Sequence, residues 1–476
     1  MFASIFFTMF KLIIFIILVF YTVFQSATAQ EIRLSVSDNL QKSLDASHDG
    51  DIIVLSSGRY LGNFIINKQI ILRGESGAKE QAIIDAQGQG HAITLKNSHI
   101  TIDNLNIVNW GDDLTEQSSG IYSNEKVDSS SDAKSGEKPS KESATDLIIK
   151  NNTLSGDGFG IWLNNVTKSK VFNNKVKGNL ALRSADRGNG IQIANVTHSH
   201  VFNNETSEVR DGIYVISSQN NVIEANTMHH LRYGIHYMYS YDNTVKNNMA
   251  YSTRAGYALM SSRRLTITSN KTTDSEDYGF LLNFITQSTF TNNYIKNVWT
   301  KPENKVLGRD GKGLFVYNSG YNTLEGNIVD TAEIGIHLTA GSENIKIYGN
   351  SFINNPTQVK YVSNKKQEWS KDGRGNYWSN YLGWDMNNDG IGDAIFEPND
   401  GIDKLVWQYP EMKMIMDSPA ILILRWVQKQ FPVLKPPGVK DSYPLMAPHF
   451  SHANLDRKPT SLTNQIKAER LQEQQL

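Results

Sequence analysis

Residues Tyr233 to Met260 read YGIHYMYSYDNTVKNNMAYSTRAGYALM, and their spacing decides the fold. Gly234-Ile235 and Gly256-Tyr257 open two units 22 residues apart, and Asn226, Asn248 and Asn270 close successive units at the same interval. The opening phrase is a glycine, a large apolar residue, any residue, then another apolar one. It recurs as GIYS at Gly120, GIWL at Gly160, GIQI at Gly190, GIYV at Gly212, GFLL at Gly279, GLFV at Gly313 and GIHL at Gly335. A period of this length, sustained over most of a chain, marks a stacked array in which each unit is one coil. Successive residues of an extended strand face opposite sides, so the apolar pair of each phrase faces in and the residue between them faces out. Glycine is expected at the sharp corners. Asparagine is expected in left-handed turns and in ladders along the stack. The pattern is that of an all-β parallel solenoid.

Outward from that stretch, the chain begins with Lys11, an apolar run from Leu12 to Phe24, and the small-x-small pattern Ala27-Thr28-Ala29 before Gln30. Residues 1–29 read as an export signal peptide rather than an uncleaved anchor. The chain has no cysteine, so stability must come from a long core instead of disulfides, and a thiolate metal site is excluded. A net charge of −1 offers no electrostatic basis for binding nucleic acid. Asn39 to Ala46 reads as a short amphipathic helix over the first coil, where bare strand edges need a cover. The β-helix is expected over 30–363, with a Ser-, Lys- and Glu-rich insert at 123–145 read as a solvated loop. Two further excursions, Lys177 to Arg187 (with Arg183 and Asp186) and Asn297 to Lys312, lengthen single coils. An Asp/Asn-rich region follows at 364–410, then a segment at 411–448 with a helix over 419–431, and a polar tail at 449–476. Ala420, Ile423, Leu424, Val427 and Phe431 share one face of that helix. It is too short to span a bilayer, which leaves it to cap the solenoid, lie on a membrane surface or dock on a membrane partner.

Stacking at 22 residues puts Met238 beneath Met260, with His236 two residues before Met238 on the same strand. All three are expected to face out, with small Ala258 leaving space above His236. Coils lie about 4.8 Å apart and alternate residues about 6.6 Å apart, so two thioethers and an imidazole can meet on one ion. Sulfur and imidazole donors without carboxylate select Cu(I). The alternative is a methionine-lined partner surface. A second motif, Asp385-x-Asn387-x-Asp389-Gly390-x-x-Asp393, matches a Ca2+ loop, although its twelfth position is Phe396, with Glu397 one later. Met412, Met414 and Met416 read as core or interface, His337 (with Phe315 below it) as surface, and His229-His230 as a solvated corner. The outward columns hold Tyr, Gln, His, Ala, Leu, Phe and Met, with carboxylates such as Asp211 at coil junctions. That is poor equipment for acid–base catalysis. The reading is therefore not an enzyme, with a carbohydrate-binding or polysaccharide-modifying β-helix and a metal-free interaction platform as alternatives.

GNGIQI, RDGIYV, YGIHYMYSYDN, GYALMSSRRLTI, GFLLNF, GIHLTAGSEN, QVKYV, GRGNYWS and DSPAILILRWVQKQFP together resemble the NosD family, from about Ile32 to Pro448. The resemblance implies a right-handed parallel β-helix in the periplasm, held at a membrane by an ABC transporter with a NosY-type permease and a NosF-type ATPase. It implies transfer of Cu(I) from a NosL-type chaperone lipoprotein toward the copper–sulfide centre of nitrous-oxide reductase. It points to His236, Met238 and Met260 as the relay. Gln192 stands where the family pattern leads one to expect a histidine, which sets that position apart from any ligand role.

Overall fold

In the central coils, Ile213, Ile235, Tyr257, Phe280, Leu314 and Ile336 register one above the next. Val215, Tyr237, Leu259, Leu282, Val316 and Leu338 form a second column beside them. None of these side chains is more than 2% exposed. The apolar pair of each repeat phrase thus makes two continuous stripes of core, and burying them drives the stack. The computed structural model describes residues 29–124, 144–306, 308–363, 365–416, 418–431 and 437–449. All but the last residue of the export signal, most of the 123–145 insert and the tail beyond His449 lie outside the described residues.

The strands stack in parallel into a 13-stranded sheet and a 22-stranded sheet that folds around the rest of each coil. The chain is one right-handed parallel β-helix. In its middle the larger sheet turns a corner within single strands, Thr227–Met238, Met249–Met260 and Lys271–Asn283. The corners fall at His230, Ser252 and Asp274, with φ of 55°, 52° and 56°.

Two local expectations change. The repeat glycines do not sit at corners with positive φ. A Cβ on Gly234 would strike the carbonyl oxygen of Gly256 and come within 2.7 Å of the Ala250 Cβ, so glycine is there for close approach between coils. The laddered asparagines do not themselves turn left-handed. That conformation falls on the residue before, as at Asn203, Asn247 and Asn292, with φ of 54°, 58° and 53°. Each laddered asparagine instead offers Oδ1 to the backbone N–H and Nδ2 of its counterpart one coil earlier. Asn226 donates both to Asn248 at 3.0 and 2.9 Å, and Asn248 donates both to Asn270 at 3.0 and 3.0 Å. The column runs from Asn152 to Asn376, whose own N–H reaches Asp441 Oδ2 at 2.7 Å.

The ends are closed by helices. Leu40–Ala46, capped by Asn39, buries Leu40 and Leu44 on the first coil. At the far end a helix absent from the expectation, Gly401–Gln408, lies inside the segment read as cation loop and buries Ile402 and Val406. Its Asp400/Asp403 capping box was visible in the sequence. The next helix, Pro419–Gln430, ends one residue before the expected boundary. It is held by Ile421, 5% exposed, and by Arg425 on Asp400 and Asp403. The apolar side read from the sequence is left open: Leu422, Ile423, Trp426 and Phe431 are 56–61% exposed. The insert is also shorter than expected, since Ser123 belongs to the buried end of the strand Ser119–Asn124 and Ala144 pairs with Val166.

Replacing Asn248 by alanine leaves the N–H of Asn226 and the carbonyl of Ile223 without their buried partners, and takes from the Asn270 oxygen one of its two donors. Urea unfolding is expected to report a loss of about 1–3 kcal/mol, with the β-sheet circular dichroism of the folded state unchanged.

Candidate metal centre

The central strands give the outward residues a common phase. Gln192, Tyr214, His236, Ala258 and Leu281 stack in one outward column, and Ile216, Met238, Met260 and Asn283 in the next. Met238 and Met260 are register partners, each half-buried. His236 does not lean toward them through the space above it, because Ala258 is fully buried. The imidazole leans toward the preceding coil. Its ring stacks on Tyr214 at 4.5 Å, meets the edge of Tyr233 at 5.2 Å, and is only 8% exposed. The Tyr214 hydroxyl in turn donates to Met238 Sδ at 3.2 Å. His236 and Met238 are thus gathered around one tyrosine, with Met260 one coil beyond.

The expected absence of carboxylate is corrected by Asp211. This aspartate, 1% exposed, accepts from His236 Nδ1 at 2.9 Å and from the Arg232 guanidinium at 2.8 and 2.6 Å. Burial alone would raise its carboxyl, but the hydrogen bonds from His236 and Arg232 hold it below the usual value. The guanidinium also lies 4.3 Å over the Tyr233 ring. With Nδ1 spoken for, His236 Nε2 is left buried and without a hydrogen-bond partner. A carboxylate that fixes the tautomer and leaves the other nitrogen free is the usual outer support of a metal-binding imidazole. The thioethers bring the soft donors that suit Cu(I). Asp211 lay in the junction column of the sequence, but nothing in the spacing showed that it would turn onto His236. Gln192 supports the same corner: its Oε1 accepts Asn189 Nδ2 at 2.8 Å, and Asn189 Oδ1 accepts the Asp211 N–H at 3.3 Å.

The other candidates are placed differently. In the Asp385–Asp393 loop the side-chain oxygens already serve the loop's own amides. Asp385 accepts from Asp389 and Gly390 at 3.2 and 2.8 Å, Asn387 from Asp389 at 3.2 Å, Asp389 from Ile391 at 2.8 Å and Asp393 from Met386 at 2.7 Å. These bonds order the turn. Among the described residues no three His, Asp or Glu side chains are gathered to hold an ion. Met414, read as core or interface, is 92% exposed on a short 3-10 turn. His337 faces outward over Phe315 as expected but is only partly exposed. Burial, then Lys360 and Lys312, pushes it down to about 3, and its ring packs on Phe315 at 4.9 Å.

A family model described as periplasmic copper-binding protein (NosD) matches residues 172–383. A protein of Pseudomonas aeruginosa named "Probable ABC transporter binding protein NosD" is 46% identical over 394 residues, covering 82% of this chain and 87% of its own. The chain belongs to the NosD family. A protein of the same name from Stutzerimonas stutzeri is 44% identical over 395 residues, covering 82% of this chain and 86% of its own. Among solved structures, the surface protein and adhesin PfbA of Streptococcus pneumoniae is similar in outline, with a TM-score of 0.49 and 13% identity, covering 70% of this chain and 100% of its own. At that level the likeness carries no functional information. The span matched by the NosD family model contains Asp211, His236, Met238 and Met260, and ends before Asp385.

Asp211 sets a pH dependence. Its folded pKa lies below that of the unfolded chain, so its contribution is complete above the ordinary carboxylate value of about 4 and drains away as pH falls through the folded value. Unfolding midpoints measured down to about pH 3 should fall along that slope. Asp211→Asn should start lower, because Arg232 loses its buried partner, and show a shallower slope.

Proposed function

We propose that the chain is a periplasmic, non-enzymatic copper-handling scaffold that passes Cu(I) across its outward face through His236, Met238 and Met260. One observation carries the reading: His236 presents a buried, unpartnered Nε2 while Asp211 holds Nδ1. Cu(I) is cargo in this reading. Thioether donors need no deprotonation and grip the ion less tightly than thiolate, which suits hand-over. The printed description of the matching family, periplasmic and copper-binding, supports it.

The relatives' name, ABC transporter binding protein, supports a transporter partner, and the exposed apolar side of Pro419–Gln430 suits such a contact. Among the described residues no helix is long and apolar enough to cross a membrane, so this surface would meet the permease from outside the bilayer. A NosY-type permease, a NosF-type ATPase, a NosL-type copper donor and nitrous-oxide reductase are the partners proposed. The carbohydrate-modifying alternative draws little support from the acids of the central face. Asp211 and Asp277 are both buried, and Arg232, and Arg254 with Arg309, bind them as anions. A general acid needs the opposite.

Anaerobic Cu(I) titration of Met238→Ala/Met260→Ala is expected to show lost or at least about tenfold weaker binding, and Asp211→Asn a weakening of about 10–100-fold. Unchanged copper binding with weakened partner binding would favour the metal-free platform. Leu422→Asp/Trp426→Asp should leave copper binding intact and abolish co-purification with the transporter in detergent.

A further inference from the structure

Adjacent residues on an extended strand point to opposite faces, so consecutive histidines on a strand do not ordinarily meet. His229 and His230 do meet. His230 takes φ of 55° at the corner of the strand Thr227–Met238, and the turn swings both imidazoles to one side. Their Nδ1 atoms face each other at 2.8 Å, with the rings 84° apart in plane. The corresponding corners carry Glu208, Ser252, Asp274 and Asn297, all with positive φ.

The pair is supported from both neighbouring coils. Tyr251, from the following coil, lies flat on His229 at 4.8 Å. Glu205, from the preceding coil, sits 3.4 Å from His229 Nε2, and Lys175 lies 3.1 Å from Glu205. The bond from His229 and the Lys175 ammonium hold the Glu205 carboxyl below its usual value. With Nε2–H directed to Glu205, His229 presents Nδ1 as a lone pair, and His230 Nδ1–H is the donor between the rings. This repeats the arrangement at Asp211 and His236, with the ring nitrogens exchanged.

We propose that His229 and His230 form a second soft-metal site, in which a two-coordinate Cu(I) lies between the two Nδ1 atoms, the exposed His230 releasing its Nδ1 proton to water and taking one up on Nε2 so that the ring stays neutral. The choice of copper rests on the function proposed above, whereas the convergence of the two imidazoles is independent of it. A pair of neutral nitrogen donors suits a soft d10 cation; the carboxylates lining the cavity beside this corner, Asp274 and Glu276, are bonded to Asn297 and Lys301. Two metal–imidazole bonds of about 2 Å each require the nitrogens to open to about 4 Å. The exposed His230 makes that movement while Tyr251 and Glu205 keep His229 in place.

The corner opens on a cavity of about 600 Å³ with Leu180 and Arg187 of one excursion and Lys301 of the other in its lining, and with His230 and Arg232 also facing it. Three of the cations here are paired, Arg232 with Asp211 at 2.6 Å, Arg254 with Asp277 at 2.6 Å and Lys301 with Glu276 at 2.9 Å, while Arg187 is bonded to the carbonyls of Leu180 and Leu182. His236 lies seven positions beyond His229 on the same strand, a reach of at most about 23 Å. The clamp shares no ligand with the His236, Met238 and Met260 cluster, and it sits beside residues of both long excursions.

The test is anaerobic Cu(I) titration of the chain without its export signal against a chromophoric chelator, followed by X-ray absorption on the loaded protein. The unmodified protein should take up one equivalent more than His229→Gln/His230→Asn, and the equivalent lost should be the one with nitrogen-only, two-coordinate scattering. Asparagine suits the left-handed corner, so His230→Asn alone should keep the parent unfolding midpoint and still lose that equivalent. Met238→Ala/Met260→Ala should keep it. If those methionine changes leave copper uptake and sulfur scattering untouched, the central relay falls and the histidine clamp stands. Unchanged uptake in His229→Gln/His230→Asn, or loss of sulfur scattering with it, overturns the clamp.

Discussion

From Asn152 to Asn376 each coil satisfies its neighbour's buried amide with an asparagine oxygen, and this places those coils in one phase. The bond from Asn226 to Asn248 and on to Asn270 tolerates no slip, because a shift of one residue would leave buried donors unpaired and turn the apolar columns outward. The matched phase fixes which side chains share the outer face. Met238 and Met260 are neighbours because Asn226, Asn248 and Asn270 are.

On that frame the chemistry depends on carboxylates one coil away. Asp211 orients His236, and Glu205 orients His229. In both cases the acid comes from the preceding coil and leaves one imidazole nitrogen turned away from it. The tyrosines complete the arrangement: Tyr214 packs on His236 and bonds Met238, while Tyr251 covers His229. A β-helix suits such pairs, because stacking puts residues 22 apart in sequence side by side on a rigid surface.

The solenoid was legible because its signal is periodic and redundant. The inward residues of Gly-Ile-x-Val phrases and the asparagine column could be assigned by counting. What counting missed were contacts that run diagonally between columns, or that depend on backbone conformation. Asp211 was assigned to a junction, yet its side chain turns onto an imidazole in the next coil. His229 and His230 read as a solvated corner, and the positive φ of His230 that turns the two rings onto each other is not visible in the spacing. Ala258 looked like open space but is sealed. At the far end, aperiodic sequence hid the Gly401–Gln408 helix behind an Asp/Asn-rich motif. It also left undecided which side of Pro419–Gln430 would pack, since that is settled by Arg425 and its two aspartates.

The asparagine column has a direction. Each earlier rung supplies the donors and each later rung the acceptor, from Asn152 to Asn376, where Asp441 takes the final N–H. In a chain that folds as it emerges N-terminus first, no rung is complete until the one behind it arrives, and the last waits for a residue 65 positions further on. The segment around Asp441 is thus the latch of the whole stack, and a nascent chain stopped short of it would carry a full set of coils with the final one unsealed.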